Sequence, residues 1–253
     1  MILYKKNKIN IGIVILKNPP VNALSASMLD RFYEIIDKIE RDKKLRVLII
    51  KSELKVFCAG ADLKERQFMN KSETLETVDK IRELFYKIEK LPIPVISAIN
   101  GSALGGGAEL ALACDFRIGS KNAKIGLTEA GLGIIPGAGG THRLSKIIGP
   151  SKAKYWIFTA QIFSSDIALN DGYLDFVSDD EYGFSIDLAT KIIDSAPLSI
   201  KYSKILINMG YNKKIADELS IEKKLYTKIV DSKDRNNGLE SFIKKKKPDW
   251  DGI

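Results

Sequence analysis

The chain has 253 residues, of which 45% are hydrophobic and 28% charged, and a formal net charge of +8 at pH 7. This length and apolar content suffice for a full hydrophobic core, and they indicate one domain with an appendage. No stretch reaches eighteen uninterrupted apolar residues, and the N-terminus has no apolar signal segment. We therefore expect neither a membrane span nor a signal peptide.

Cysteine and histidine usage predicts a cytoplasmic protein without a metal site. Cys58 and Cys114 form no CxxC pair, so we expect both thiols to be reduced and buried. One histidine and two cysteines cannot easily build a zinc site. The positive net charge is compatible with three kinds of partner: a nucleic acid, a membrane surface or an anionic small ligand. The lysines are spread along the chain, however, which favours an ordinary solvated surface.

The first half of the chain alternates apolar runs with amphipathic segments. The helical segment that begins at Ser25 has apolar residues at helical spacing, and Ser25 is a fair N-cap. Pro92 and Pro94 end a second helix. The pattern predicts a strand over 9–16, a helix over 25–41, a strand over 46–51, a helix over 74–90, a strand over 95–99 and a short helix from about Gly106.

The second half becomes increasingly helical. After a strand-like FRIG, helices are predicted near 142–148, 151–159 and 165–171, and then over 184–194, 199–208, 213–231 and 233–246. The order of strands and helices predicts an α/β fold with right-handed crossovers. We divide the chain into a catalytic core, 1–194, and a helical C-terminal subdomain, 195–253. The subdomain is expected to pack on a partner subunit through apolar residues, namely Leu198, Ile205, Leu206, Leu219 and Leu225.

One short stretch, NGSALGGGAELALACD over 100–115, combines three glycines with a carboxylate in apolar surroundings. The glycines do not fit a dinucleotide fingerprint, because Leu110 stands where its third glycine belongs, and no GK[ST] triplet makes a phosphate loop. What remains is a helix N-terminus whose free N–H groups a ligand can approach closely. An N–H group of this helix start and one from the CAGAD loop at 58–62 would together form an oxyanion hole, which we therefore predict. Tight packing alone is the alternative.

Two glutamates are the candidate acid–base groups. Glu109 follows the glycines, and Glu129 stands between small and apolar residues in GLTEAGLGIIPGAGG. Burial raises a carboxylic pKa toward neutrality, which suits proton transfer. Glycosidases also use paired carboxylates, but no aromatic sugar platform accompanies these two. Taken alone, these sequence features fit a structural role for either glutamate as well as they fit a catalytic one.

At this point the sequence resembles the enoyl-CoA hydratase/isomerase (crotonase) superfamily over nearly its whole length. The resemblance rests on NPPVNALS at 18–25, FCAGADLKER at 57–66, LPIPVISAINGSALGGGAELALACD at 91–115, IGLTEAGLGIIPGAGGTHRL at 125–144 and the final SFIKKKK. It is nearest to the methylglutaconyl-CoA hydratase-like branch. It implies a spiral of β–β–α units with a helical C-terminal part that forms trimers, often paired into hexamers.

The resemblance also implies a reaction, the reversible addition of water across the 2,3 double bond of an enoyl-CoA thioester. The N–H groups of Ala61 and Gly106 would hold the thioester oxygen. Glu109 would activate the water, and Glu129 would deliver a proton to Cα; this division of roles comes from the family alone. No metal and no redox cofactor is implied, since coenzyme A is part of the substrate.

Residues for the coenzyme A part follow from motif position. The implied contacts are Asn22, Ala23, Leu24, Ala59, Asp62, Leu63 and Lys64, with Phe242 and Lys245 reaching a neighbouring subunit's ligand. His142 stands where the family usually has glutamine, and we interpret it as a polar residue at a helix start.

Three alternatives stay open. An enoyl-CoA isomerase is the first, although many isomerases lack one of the two glutamates. RNA binding, which occurs in the methylglutaconyl-CoA hydratase-like branch, is the second. It needs a basic row on the first helix, whereas the row here is Ala26, Asp30 and Glu34. An inactive assembly subunit is the third, and the presence of both glutamates argues against it.

Overall fold

The computed structural model describes residues 1–209, 215–230 and 232–252, apart from the side chains at 215–218 and 242. Its strands are β1 (Ile2–Lys6), β2 (Ile11–Leu16), β3 (Val47–Ser52), β4 (Val95–Ile99), β5 (Ser102–Leu104), β6 (Phe116–Ser120), β7 (Lys124–Gly126), β8 (Phe163–Ser164) and β9 (Phe176–Ser178). Its α-helices are α1 (Ala26–Arg41), α2 (Leu63–Arg66), α3 (Lys71–Lys90), α4 (Gly106–Leu112), α5 (Gly140–Ile148), α6 (Pro150–Thr159), α7 (Ser165–Asp171), α8 (Glu181–Ile193), α9 (Pro197–Met209), α10 (Ile215–Val230) and α11 (Lys233–Ile243). A 3₁₀ helix spans Glu129–Leu132.

Six strands form the main sheet in the order β1-β2-β3-β4-β6-β9. Only the β1–β2 pair is antiparallel, and the other pairs are parallel. The central strand β4, VISAI, is buried along its whole length, as expected for a parallel strand covered on both faces. One face packs against α1 and α3, and the other against α8. This arrangement confirms the predicted α/β class.

A small second sheet positions the glycine-rich stretch. Its order is β5-β7-β8, and two residues separate the end of β4 in the main sheet from the start of β5. Isolated bridges join Cys58 to Ala103 and Leu24 to Ala61. The loop at 58–61 is therefore held between β5 on one side and the segment before α1 on the other.

The long predicted elements are confirmed, including Ser25 as the N-cap of α1, whose hydroxyl accepts the N–H of Met28. Both cysteines are buried and unpaired. The sequence analysis missed β1, whose ILYKK pattern carries two lysines at its end. It also missed β5, β7, β8 and β9, which have two or three residues each and are too short to show a periodicity.

The C-terminal helices dock on the core through polar contacts. Lys204 on α9 donates to Asp115 Oδ2 at 2.7 Å and to the carbonyl of Ile93 at 2.9 Å. Trp250 donates to the carbonyl of Asp194 at 2.9 Å. Of the apolar positions assigned to a subunit contact, Leu219 is 54% exposed, and the others are half-buried. The boundary at 194/195 falls between α8 and α9 and stays a prediction.

Removal of a core side chain from α1 tests this packing. Ile36 is fully buried under the main sheet, whereas Ile9 is 48% exposed. We expect Ile36→Ala to lower the free energy of unfolding by about 2–5 kcal/mol, because it leaves a cavity. Ile9→Ala removes the same atoms from a solvated position and should cost much less. Urea unfolding curves measure both, and equal losses would contradict the packing described here.

Candidate active site

The N-terminus of α4 lies directly against the backbone of the loop at 58–61. A Cβ on Gly107 would stand 2.0 Å from the carbonyl oxygen of Cys58, so only glycine fits there. Gly105 has φ +50° and donates its N–H to the carbonyl of Gly126 at 2.8 Å. The glycines therefore serve both close approach and backbone conformation, and tight packing is part of their role.

Two free N–H groups meet at this contact, those of Ala61 and Gly106. A Cβ on Gly106 would lie 3.6 Å from the nitrogen of Ala61, and one on Gly60 would lie 2.9 Å from the nitrogen of Gly106. Gly106 is the first residue of α4, so its N–H has no acceptor within the helix. In the described part of the chain, neither N–H donates a hydrogen bond. Two adjacent unused donors form the geometry of an oxyanion hole.

Glu109 is buried one turn into α4 and is held by a loop from elsewhere in the chain. Its Oε1 accepts the N–H groups of Ala138 and Gly140, each at 2.8 Å. Desolvation raises the pKa of Glu109, and the two backbone hydrogen bonds and the charges of Arg143 and Arg66 oppose that rise. One carboxyl oxygen is thus fixed in place while the group keeps a perturbed acidity.

Glu129 opens the 3₁₀ helix and is almost as buried, with 8% of its surface exposed. Its Oε2 is buried and has no hydrogen-bond partner among the described residues. Desolvation, together with the nearby charge of Glu109, raises the pKa of Glu129 to about 7. The carboxyl group is therefore poised to exchange a proton near neutral pH.

Both carboxyl groups flank the N-terminus of α4. Glu109 is part of that helix, and a Cβ on Gly105 would lie 3.0 Å from Glu129 Oε1. The structure therefore brings together the four residues that the sequence analysis placed at the reaction centre. The arrangement can hold a carbonyl oxygen on two N–H groups and transfer protons beside it.

The residues assigned to coenzyme A have different settings. Asn22 is fully buried, and its side-chain amide donates to Ser52 Oγ, at 2.8 Å, and to the carbonyls of Val56 and Phe57. It thus holds the turn before α1 and offers no surface to a ligand. Leu24 is 2% exposed and donates its N–H to the carbonyl of Gly60, at 2.8 Å.

The other assigned positions keep some accessible surface. Ala23 and Ala59 are half-buried, and Leu63, Lys64 and Lys245 are exposed. The carboxylate of Asp62 caps α2 by accepting the N–H groups of Lys64 and Glu65. Phe242 lies in α11, but its side chain falls outside the described residues. Ligand contacts by these residues stay predictions. His142 is exposed in the first turn of α5, as expected for a polar residue at a helix start.

Sequence reasoning missed the residues that support Glu109 and its helix. Arg143 donates to the carbonyl of Ala138 at 2.7 Å and pairs with Glu89, so it fixes the loop that clamps Glu109. Tyr173 donates to the carbonyl of Ala108 at 2.8 Å. These partners come from distant parts of the chain, and their spacing in the sequence carries no signal.

A sequence model of the Enoyl-CoA hydratase/isomerase family matches residues 6–252. This chain belongs to that family. The mouse mitochondrial methylglutaconyl-CoA hydratase is 42% identical to it over 91% of this chain and 76% of the mouse protein. The short-chain-enoyl-CoA hydratase of Clostridium acetobutylicum is 38% identical over 98% of this chain and 95% of that protein.

Solved structures of the enoyl-CoA hydratase/isomerase family share the fold. The enoyl-CoA hydratase from Bacillus anthracis superimposes with a TM-score of 0.97 at 38% identity, covering 100% of this chain and 99% of that one. The predicted family and fold class are confirmed, and the names of the relatives support the predicted hydratase activity. In the described ranges, no helix is both long and apolar enough to cross a membrane.

The raised pKa of Glu129 makes the stability of this family member depend on pH. Its folded pKa of about 7 exceeds the ordinary value of 4.5, so the folded state favours the neutral form. This preference contributes fully to the free energy of unfolding below the unfolded pKa, and the contribution is lost as pH rises through the folded pKa. Relative to wild type, Glu129→Gln should become more stable from about pH 5 to pH 8, by up to about 3 kcal/mol.

Denaturant unfolding at several pH values measures this difference. Glu83→Gln removes an exposed carboxylate from α3 and serves as the control, with no comparable trend expected. A Glu129→Gln curve that stays parallel to wild type at every pH would show that Glu129 does not titrate in this range.

Proposed function

We propose that this chain is an enoyl-CoA hydratase that adds water reversibly across the 2,3 double bond of an enoyl-CoA thioester to give a 3-hydroxyacyl-CoA. The observation that carries the proposal is the convergence of Glu109 and Glu129 beside the free N–H groups of Ala61 and Gly106. The thioester oxygen accepts both N–H groups. As water adds to Cβ, negative charge develops on that oxygen, and each donor contributes about 3 kcal/mol in the transition state.

The two carboxyl groups divide the proton transfers by their surroundings. Glu109 accepts two backbone hydrogen bonds, which favour its ionised form, and so it is the base that takes a proton from water. Glu129 lacks such partners on Oε2 and feels the charge of Glu109, so it holds its proton longer. Glu129 therefore delivers the proton to Cα. Dehydration of a 3-hydroxyacyl-CoA uses the same groups in reverse.

The proposal includes no metal and no redox cofactor, because addition of water needs only proton transfer and stabilisation of the oxygen. Coenzyme A enters as part of the substrate. Ala23, Ala59, Asp62, Leu63 and Lys64 are its proposed contacts from one subunit, and Lys245 and Phe242 are those from a neighbour. A cytoplasmic location is part of the proposal, supported by two buried and unpaired cysteines.

The alternatives explain less of the site. An isomerase moves one proton within the substrate and does not require two acidic residues around a water molecule. This chain has both acidic residues, Glu109 and Glu129. RNA binding lacks a basic row on α1, where Asp30 pairs with Lys80 and Glu34 pairs with Arg31. Nucleic acid is therefore left out of the proposed partners.

Hydration of crotonyl-CoA by two variants tests the acid–base assignment. Glu109→Gln and Glu129→Gln should each lower kcat by at least about a hundredfold, because each removes a general acid–base group. Loss of the conjugated absorbance reports the reaction. Glu83→Gln is the control and should match wild type. A wild-type protein that leaves crotonyl-CoA untouched, or variants that keep full activity, would rule out the proposed chemistry.

We also propose a homo-trimer or a dimer of trimers. The support is the apolar surface of the C-terminal helices together with exposed apolar residues next to the site, such as Ile135 at 73% and Phe158 at 74%. Sedimentation equilibrium should give a mass three or six times the 28.1 kDa of one chain. A monomeric mass at micromolar concentration would contradict this assembly.

A further inference from the structure

One peptide group links the buried carboxylate of Glu109 to the surface of helix α3. The N–H of Ala138 donates to Glu109 Oε1 at 2.8 Å. The carbonyl of the same peptide group, that of Gly137, accepts the Nε–H of Arg82 at 3.0 Å. Arg82 lies on α3 and is exposed. A cation at the surface is therefore joined to the proposed base by two hydrogen bonds that share one peptide group.

The fold holds Arg82 and this peptide group together. A Cβ on Gly137 would stand 2.9 Å from Cγ1 of Val78, which lies one turn before Arg82 on α3. The loop that clamps Glu109, residues 136–140, is therefore pressed against α3. Arg82 also pairs through Nη1 with Asp79 on the same helix. Its guanidinium is thus held at two of its nitrogens.

The other hydrogen bonds of this loop differ from the one that Arg82 makes. The second amide that holds Glu109 is that of Gly140, and the carbonyl of its peptide group accepts the neutral backbone N–H of Arg143 at 2.9 Å. The guanidinium of Arg143 donates to the carbonyl of Ala138, which belongs to the next peptide group along the loop. Arg143 thus fixes the course of the loop, whereas Arg82 bonds to the peptide group that itself donates to Glu109.

A cation on the carbonyl side of a peptide group changes its N–H side. Hydrogen bonds in a chain polarise one another, so the N–H becomes a stronger donor when its carbonyl accepts a hydrogen bond. The effect is larger when the first donor carries a charge. A stronger N–H donor stabilises ionised Glu109 more than the neutral form. Arg82 therefore favours the state in which Glu109 can take a proton from water.

We propose that Arg82 is a positioning residue for the reaction: through the Gly137–Ala138 peptide group it orients and polarises the N–H that holds Glu109 in its ionised form. The inference rests on the proposed hydratase function and adds a residue to the same site. In this role Arg82 acts through Glu109 and needs no contact with the substrate.

The expected signature is a shift of the acid limb of the pH profile. Burial raises the pKa of Glu109, and the backbone hydrogen bond from Ala138 lowers it. Loss of the cation behind that bond weakens the lowering, so the pKa rises and more of Glu109 is protonated at acid pH. The alkaline limb reflects the proton on Glu129 and should move less. The charged or titratable groups that face Glu109 stay in place, namely Arg66, Arg143, Glu129 and Tyr173.

Steady-state hydration of crotonyl-CoA across a range of pH tests this role. Arg82→Met keeps an unbranched side chain and removes every N–H donor. It should raise the midpoint of the acid limb of kcat by about half a pH unit, which lowers kcat about threefold well below the midpoint. KM should stay unchanged. Arg82→Lys returns a cationic donor and should restore part of the shift.

Arg31 offers a matched control on α1. Its side chain is 50% exposed, against 54% for Arg82, and it likewise pairs with a carboxylate three residues away on its own helix. Arg31→Met should leave both limbs in place. An acid limb in Arg82→Met that coincides with wild type would overturn the inference. A loss of activity that is equal at every pH and is not restored by Arg82→Lys would also overturn it, because that result indicates a structural role alone.

A direct titration of Glu109 does not depend on activity. In protein isotope-labelled at the glutamate carboxyl carbon, the NMR signal of Glu109 is the one lost in Glu109→Gln. Its titration midpoint should lie about half a pH unit higher in Arg82→Met than in wild type, and equal midpoints would overturn the inference. If this midpoint shifts while wild type leaves crotonyl-CoA untouched, the hydratase function fails and the hold of Arg82 on Glu109 stands.

Discussion

The site depends on the contact between two stretches of bare backbone. The loop at 58–61 and the start of α4 approach so closely that a methyl group on Gly107 would collide with the carbonyl of Cys58. The approach places the N–H groups of Ala61 and Gly106 side by side and leaves both without acceptors. The same contact buries α4 from its second residue onward, and Glu109 lies in this buried part of the helix. Oxyanion donors and a desolvated carboxylate thus share one structural cause.

The cost of such a site is offset by contacts around it. Two buried carboxyl groups disfavour ionisation, and the orphaned Oε2 of Glu129 adds to the penalty. Arg143 and Glu89 lock the loop that clamps Glu109. At the other end of α4, Arg117 donates to the carbonyls of Cys114 and Tyr173 and pairs with Asp175. The helix is therefore fixed at both ends, and the penalty at the glutamates does not displace it.

Much of the fold and the centre of the site could be predicted from the sequence. Long elements such as α1 and α3 show their periodicity over several turns, and the misfit of Glu109 among small residues is visible without a structure. Glu129 shows the same misfit among small and apolar residues, whereas Ala61 was singled out within the CAGAD loop only through the resemblance to a family. The strands of the small sheet were missed because two or three residues carry no period.

The contacts assigned to coenzyme A show a different limit. Asn22 stands in a motif, but its side-chain amide donates hydrogen bonds to Ser52 and to two carbonyls more than thirty residues away. A motif position therefore does not distinguish a residue that touches a ligand from one that shapes the loop beside it.

The different surroundings of the two glutamates also explain why the pair can act in both directions. Like charges in one poorly solvated site resist simultaneous ionisation, so the pair holds one proton over a range around neutrality. The amides of Ala138 and Gly140 favour the ionised form of Glu109 against the desolvation that raises its pKa, whereas the charge of Glu109 favours the neutral form of Glu129. In the proposed mechanism, Glu109 therefore starts ionised and Glu129 starts protonated. Water addition moves one proton onto Glu109 and another away from Glu129, which leaves the total number of protons on the pair unchanged. The reverse reaction therefore starts from a pair with the same net charge, and neither direction requires the site to take up or lose a proton overall.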